Sequence, residues 1–264
     1  MQDMKDLLRG VEKVVIEAAT AVESRFDINS RPKTRGDIIN QIRENDALSM
    51  KIMRDGFDAI RPQAQMLDDE IGTGSLPAGE FWIVDPVEGA INQIHGMPDW
   101  CVSAALVRDN QIILATVHVP LLKHTYSAIL GQGAWLNNAP LSVSDKTEIG
   151  IAMVGTGQAA PGESVQVHKA IGASVSAVLQ KALTVRVSVP ATLQLIQVAA
   201  GRMDGFWQFS QVRSGLSAGA LLVREAGGMV TDFDGNLWSF ESPEFLATTP
   251  HFSSTLAKSL RDIG

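Results

Sequence analysis

The stretch Phe81-Trp82-Ile83-Val84-Asp85-Pro86-Val87-Glu88-Gly89-Ala90 joins an apolar run to two carboxylates three residues apart, then to a glycine turn. Residues 81–84 read as a buried strand, being short, apolar and rich in β-branched and aromatic side chains. Proline and glycine fix the reversal that follows, so Asp85, the Val87 carbonyl and Glu88 can be aimed at one point. All-oxygen sets of this kind suit Mg2+ or Mn2+, and a two-ion version polarises a phosphate and activates water. The plainer alternative is a pair of hydrated caps, the commoner fate of acidic residues in turns. Asp68-Asp69-Glu70, about fifteen residues upstream, offers more oxygen ligands.

Working outward, residues 6–26 carry apolar side chains at three- and four-residue intervals, the helical period. A turn-rich break spans Asn29 to Lys33, and a second helix is expected from about Asp37, as its cap, to about Ile60. Ile38, Ile42, Ile52, Met53 and Phe57 lie on its apolar stripe, with Arg43 and Glu44 off it on a solvated face. After residue 84, apolar runs at 101–107, 112–119 and 125–130 alternate with turns and end in the hairpin-like Gly131–Asn138. Ser144–Gly150 reads as a hinge between residues 1–145, which carry the acidic signature, and residues 146–264, which complete the site. The second half alternates strands (151–155, 183–189, 229–232, 245–248) with helices (about 163–180, 191–201, 215–227), the last stopped by Gly227-Gly228. The pattern predicts a layered α+β or α/β protein.

Composition sets the outer bounds. The chain of 264 residues is 45% hydrophobic and 19% charged, an ordinary globular balance. Its net charge of −7 and lack of any Lys/Arg run argue against nucleic acid or an anionic membrane surface as partner. The single cysteine, Cys101, excludes an internal disulfide or multi-cysteine zinc site and reads as buried strand filler. No cationic, apolar leader opens the sequence, and no apolar run reaches the roughly 18 residues of a membrane span, so a cytoplasmic protein is expected. His118, His124, His168 and His251 lack ligand spacing. Ser214 and Ser217 have no histidine partner for a serine nucleophile. The tryptophans read as core, with Trp207, beside Gln208, also a candidate wall for a ligand pocket.

Several spaced motifs resemble those of the inositol monophosphatase-like family of Mg2+-dependent phosphatases. Trp82 to Ala90 is similar to its W-I-I/V-D-P-I/L-D-G-T signature, continued by Asn92 and His95-Gly96-Met97-Pro98. Gly131-Gln132-Gly133-Ala134-Trp135 resembles its G-x-G-A-F/W turn, and Ala199 to Phe206 its A-x-G-R-x-D-G segment. Ala218 to Gly228 resembles the end of W-D-x-A-A-G-x-x-I/L-V/I-x-E-A-G-G. The resemblance implies an α-β-α-β-α sandwich of two coupled halves with the site at their junction. It also implies homodimers, and a histidine at position 95 that packs or hydrogen-bonds within its loop.

The same resemblance assigns roles to positions. The first metal would be held by Asp69, from the Asp69-Glu70 pair, with Asp85 and the Val87 carbonyl. The second would use Asp85, Glu88 and a third aspartate, but counting back ten from Glu225 puts that aspartate at Gly215. Water activation in the family needs the signature threonine and an acidic partner after the second helix's first turn. These positions are Ala90 and Arg43 here. General-base help is worth at least about a hundredfold, so losing both is a large deficit. The turn that meets sugar or cyclitol hydroxyls reads Val189-Pro190-Ala191, and the glutamate for a ring hydroxyl reads Gln208. The phosphate-cradling amides of Gly89 and Ala90 need no side chain and can persist.

Three functional expectations follow. In the first, a family member that has lost ordinary phosphomonoester hydrolysis serves another small-molecule role, with Arg43 or Arg213 pairing an anionic ligand. In the second, a slower Mg2+ phosphatase works with Asp69, Asp85 and Glu88 around one or two ions. In the third, a non-catalytic subunit partners an active relative.

Overall fold

The computed structural model describes residues 4–67, 74–158, 162–210, 212–261 and 263. Helix α1 (Met4–Glu23) buries Val11, Val15, Ala18 and Val22, the period that the sequence carries. Helix α2 (Arg35–Ile60) starts two residues before the expected cap. Thr34 is the cap, accepting from Asp37 N, while the Asp37 carboxylate accepts from Thr34 N. Asp37 is thus the third residue of a capping box. The two helices lie antiparallel, with Gly10 against Ile60 at one end and Arg25 on Glu44 at the other.

Their apolar faces cover a seven-stranded sheet: β1 (Gln65–Met66), β2 (Glu80–Glu88), β3 (Cys101–Arg108), β4 (Gln111–Val119), β5 (His124–Ile129), β6 (Gly133–Leu136) and β7 (Ala139–Pro140). β2 to β7 form an antiparallel meander, and β1 joins β2 in parallel. A short helix, α3 (Ala90–Ile94), follows β2 at once. Glu80 fastens the start of β2: it takes two hydrogen bonds from Arg61 and one from Arg108, all 2.7 Å.

The second sheet holds β8 (Met153–Thr156), β9 (Thr184–Val187), β10 (Gly205–Gln208), β11 (Met229–Thr231) and β12 (Phe245–Thr248), in the order β11-β12-β10-β8-β9. Helices α5 (Ala191–Ala199) and α6 (Arg213–Glu225) fill the space between the sheets, where the largest apolar core lies. Helices α4 (Val165–Leu179) and α7 (Ser253–Arg261) cover the far face of the second sheet. The order helix–sheet–helix–sheet–helix is the expected five-layered sandwich. Several elements go beyond the sequence reading, among them the two-residue edge strands β1 and β7. β10, central to the second sheet, hides in a glycine-flanked segment, and α7 lies near the end of the chain. Among the described residues no helix is long and apolar enough to cross a membrane.

Two carboxylates within the family-like motifs act as joints. Glu225 at the end of α6 accepts from Gly131 N and Gly133 N, both at 2.8 Å, so it holds the β5–β6 hairpin. Asp204, fully buried, accepts from Lys146 Nζ at 2.8 Å and Met153 N at 2.7 Å, and docks residues 144–150 on the second sheet. Removing one partner of a buried pair strands the other charge. Lys146→Met is expected to cost about 3 kcal/mol in urea unfolding, and adding Asp204→Asn to restore part of it.

Burial, helped by nearby His124, pushes His118 down to about 4, so its ring is neutral in the fold. The unfolded chain takes up that proton from about pH 6.5 downward, while the folded chain does not. Folding stability therefore falls between about pH 6.5 and 4, by roughly 3 kcal/mol for this group. Glu80, held low first by its Arg61 hydrogen bond, adds a loss at still lower pH. Urea melts from pH 7 to 4 are expected to show the upper decline, and His118→Gln to flatten it.

Candidate active site

The site begins with a register change. Asp85 pairs with Ser103 and Glu88 with Cys101, so three steps on β2 match two on β3. Pro86 has no amide hydrogen for the ladder and sits in the resulting bulge. Paired residues share a face, and Ser103 and Cys101 are two apart. The bulge thus turns Asp85 and Glu88 to the same side, toward the α5–α6 layer. Both are buried, at 8% and 6% exposure, and the Asp85 carboxylate takes a 3.2 Å hydrogen bond from Val87 N. Burial first, then the charges of Glu88 and Asp85, pushes the Cys101 thiol well above its ordinary range. Cys101 stays protonated, as strand filler should.

Gly89 follows with φ of 84°, and a side chain there would lie 2.7 Å from the Asp99 carbonyl. Only glycine lets the turn enter α3, whose first residue is Ala90. Asn92 reaches from this helix to the carbonyls of Asp99 (2.8 Å) and Val189 (2.9 Å). It thereby pins Val189-Pro190-Ala191, a cis-proline turn into α5, beside the signature. His95 Nδ1 lies 2.7 Å from the Ile91 carbonyl oxygen, within its own loop.

The structure brings Glu88 and Gly215 into contact. A first side-chain carbon on Gly215 would lie 3.0 Å from Glu88 Oε1. Thr192, which sequence reading missed, sits between them: its hydroxyl oxygen is 2.5 Å from Glu88 Oε2 and 2.8 Å from the Gly215 carbonyl oxygen. Its signal was a lone small polar residue in an apolar helix, but the partners lie 104 and 23 residues away. Gln208 points to the same layer, is 1% exposed, and donates from Nε2 to the Ser210 carbonyl at 2.7 Å. Arg213, 3% exposed, donates to the Gly74 carbonyl at 2.9 Å and lies over the Phe240 ring.

Trp207 corrects an expectation. It lies on the opposite face of β10 from Gln208, fully buried in the α4–α7 core, and donates to Ser174 Oγ. It walls no ligand pocket. Arg43 is exposed on α2 at a groove of about 610 Å3, together with Ile42, Met50, Leu67, Val84 and Pro86. Among the described residues it makes no ion pair. A second cavity, about 660 Å3, opens beyond the Val189–Pro190 turn and includes Tyr126, Leu193 and Gln197.

Asp69 and Glu70 lie outside the described residues. The remaining donors can be tested against a two-ion set. Asp85, the Val87 carbonyl and Glu88, longer than the aspartate of the signature it resembles, offer oxygens, but position 215 has no side chain and one Glu88 oxygen is engaged by Thr192. Among the described residues no three of His, Cys, Asp or Glu come together closely enough to hold a metal ion. The second ion position does not fit.

A five-layered sandwich with a carboxylate-bearing bulge between its sheets belongs to the class of phosphatase-like layered folds. The chain is a member of the inositol monophosphatase family, whose family model matches residues 3–264. It is 30% identical over 251 residues to a putative Nus factor SuhB of Neisseria meningitidis serogroup B, covering 95% of this chain and 93% of the relative. It is 33% identical over 223 residues to an inositol-1-monophosphatase of Rhizobium meliloti, with 84% and 82% covered. Among solved structures, the suhB extragenic suppressor protein of Bartonella henselae superimposes with a TM-score of 0.77 at 28% identity, covering 95% and 98%. Mycobacterium tuberculosis SuhB superimposes at 0.81 over 100% and 99%, at 24% identity, a likeness of fold.

If Asn92 sets the spacing between signature and turn, Asn92→Ala removes two part-buried hydrogen bonds. The expected cost is about 2 kcal/mol in urea unfolding, with amide exchange raised at residues 89–99 and 188–190.

Proposed function

We propose that this chain has left two-ion phosphomonoester hydrolysis and uses the retained scaffold to bind a small anionic molecule. The observation that carries the reading is the engagement of Glu88 by Thr192 across the space of a missing side chain at Gly215. Ala90 supports it, since a methyl group relays no proton. Arg43 supports the anionic ligand: an exposed guanidinium at a groove floored by Val84 and Pro86, the neighbours of Asp85. An arginine there offers a planar fork to a carboxylate or phosphate. At most one Mg2+ would be held, by Asp85 and the Val87 carbonyl with Asp69 or Glu70.

The test is phosphate release from inositol and sugar monophosphates at millimolar Mg2+, with an active relative run alongside. Rates at least about a hundredfold lower are expected; ordinary rates overturn the reading. Inorganic phosphate should bind by calorimetry, and Arg43→Gln should weaken it about tenfold, the worth of one charge-assisted hydrogen bond.

A second reading, a slow one-ion phosphatase, draws support from the two carboxylates still facing one way and from the relatives called inositol-1-monophosphatase. Absence of any Mg2+ or Mn2+ binding at millimolar metal rules it out. The expected homodimer has support in the exposed Met97, Leu122 and Val187 around the second cavity, with Asp99 and Arg186 on the same rim to pair across a two-fold axis. Light scattering is expected to give twice the chain mass of 28.3 kDa.

A further inference from the structure

We propose that Glu88 and Gly215 form an exchanged pair: the longer carboxylate at 88 occupies the room left by the missing side chain at 215. Closed by Thr192, it fills and fastens that corner of the site with no second divalent ion there. The inference rests on the loss of that ion position proposed above and adds a reason for it.

Four observations carry it. The bulge in β2 directs Glu88 toward α6, and its carboxylate reaches the first turn of that helix, 3.0 Å from where a Gly215 side chain would begin. That helix has thirteen residues and starts after Val212 with no side-chain cap, so its first turn presents a positive end to the carboxylate. Thr192 Oγ1 lies within hydrogen-bond distance of both Glu88 Oε2 and the Gly215 carbonyl oxygen, its single proton serving one at a time. Thr192 and Gly215 are both buried, so these contacts form in a low dielectric where they count for more.

The exchange is coupled in both directions. An aspartate added at 215 beside the present Glu88 brings two anions together with no cation between them. A shorter acid at 88 beside the present glycine leaves a void and leaves the Thr192 hydroxyl without its carboxylate. Changing both puts one aspartate on β2 and another on α6, facing each other across the same contact with a shorter reach from β2. Thr192 is a positioning residue in this scheme: it holds Glu88 out of any ligand role.

The experiment compares the full-length wild type with Glu88→Asp, Gly215→Asp and the double variant, reading Mn2+ stoichiometry by calorimetry and Tm with and without Mn2+. The double variant is expected to bind one more Mn2+ per chain than the wild type, and only its Tm should rise markedly with Mn2+ through that site. Without metal, Gly215→Asp should melt lowest of the four. Thr192→Val should lower the wild-type Tm while Thr192→Ser, which keeps the hydroxyl, should not, and neither should much affect the double variant with Mn2+ bound. Equal stoichiometry in wild type and double variant overturns the proposal, as does a Thr192→Val protein as stable as the wild type. Phosphate release by the wild type would sink the functional reading alone, since the stoichiometry difference is measured without it.

Discussion

One extra residue in β2 decides which way the two buried carboxylates of this protein face. Strand geometry alone would put residues three apart on opposite faces, one toward α1 and α2 and the other toward α6. The bulge at Pro86 cancels that parity, and Asp85 and Glu88 enter the same buried layer. Everything that faces them follows from it: the start of α6, the start of α5, and the turn at Val189 held by Asn92. The cost of burying two carboxylates is met by hydrogen bonds, from Val87 N to Asp85 and from Thr192 to Glu88.

The motifs that resemble the family's work in this chain as joints between its layers. Glu225 still holds the hairpin glycines, Asp204 still holds Lys146 and the edge of β8, and Gly89 still passes under Asp99. The first two of these joints tie together segments far apart in the chain. Glu88 and Gly215 meet in one buried space, a long side chain lying where the glycine leaves room for it.

Much of the fold could be read from the chain. The 3.6-residue period of α1, the apolar runs of β2 to β5 and the glycine stop after α6 are local signals, each written within a dozen residues. The five layers followed from motif resemblance. What escaped was tertiary. β10 is four residues long and lies among glycines, so no period could mark it. Which face of β10 carries Trp207 depends on the sheet's packing, and it turned toward α4. Asp37 read as a cap because nothing local distinguishes a cap from the third residue of a capping box whose threonine stands just before it. In the site, Asp85 and Glu88 were legible as acids at a turn, and Thr192 was not, since a hydroxyl's meaning depends on what another part of the chain brings to it.

Helix α6 is gripped at both ends, by Glu88 and Thr192 at its first turn and by the hairpin amides on Glu225 at its last. A rod clasped at its two tips has no freedom to slide along its own length. The layer facing Asp85 and Glu88 is therefore a wall held in register from one end to the other.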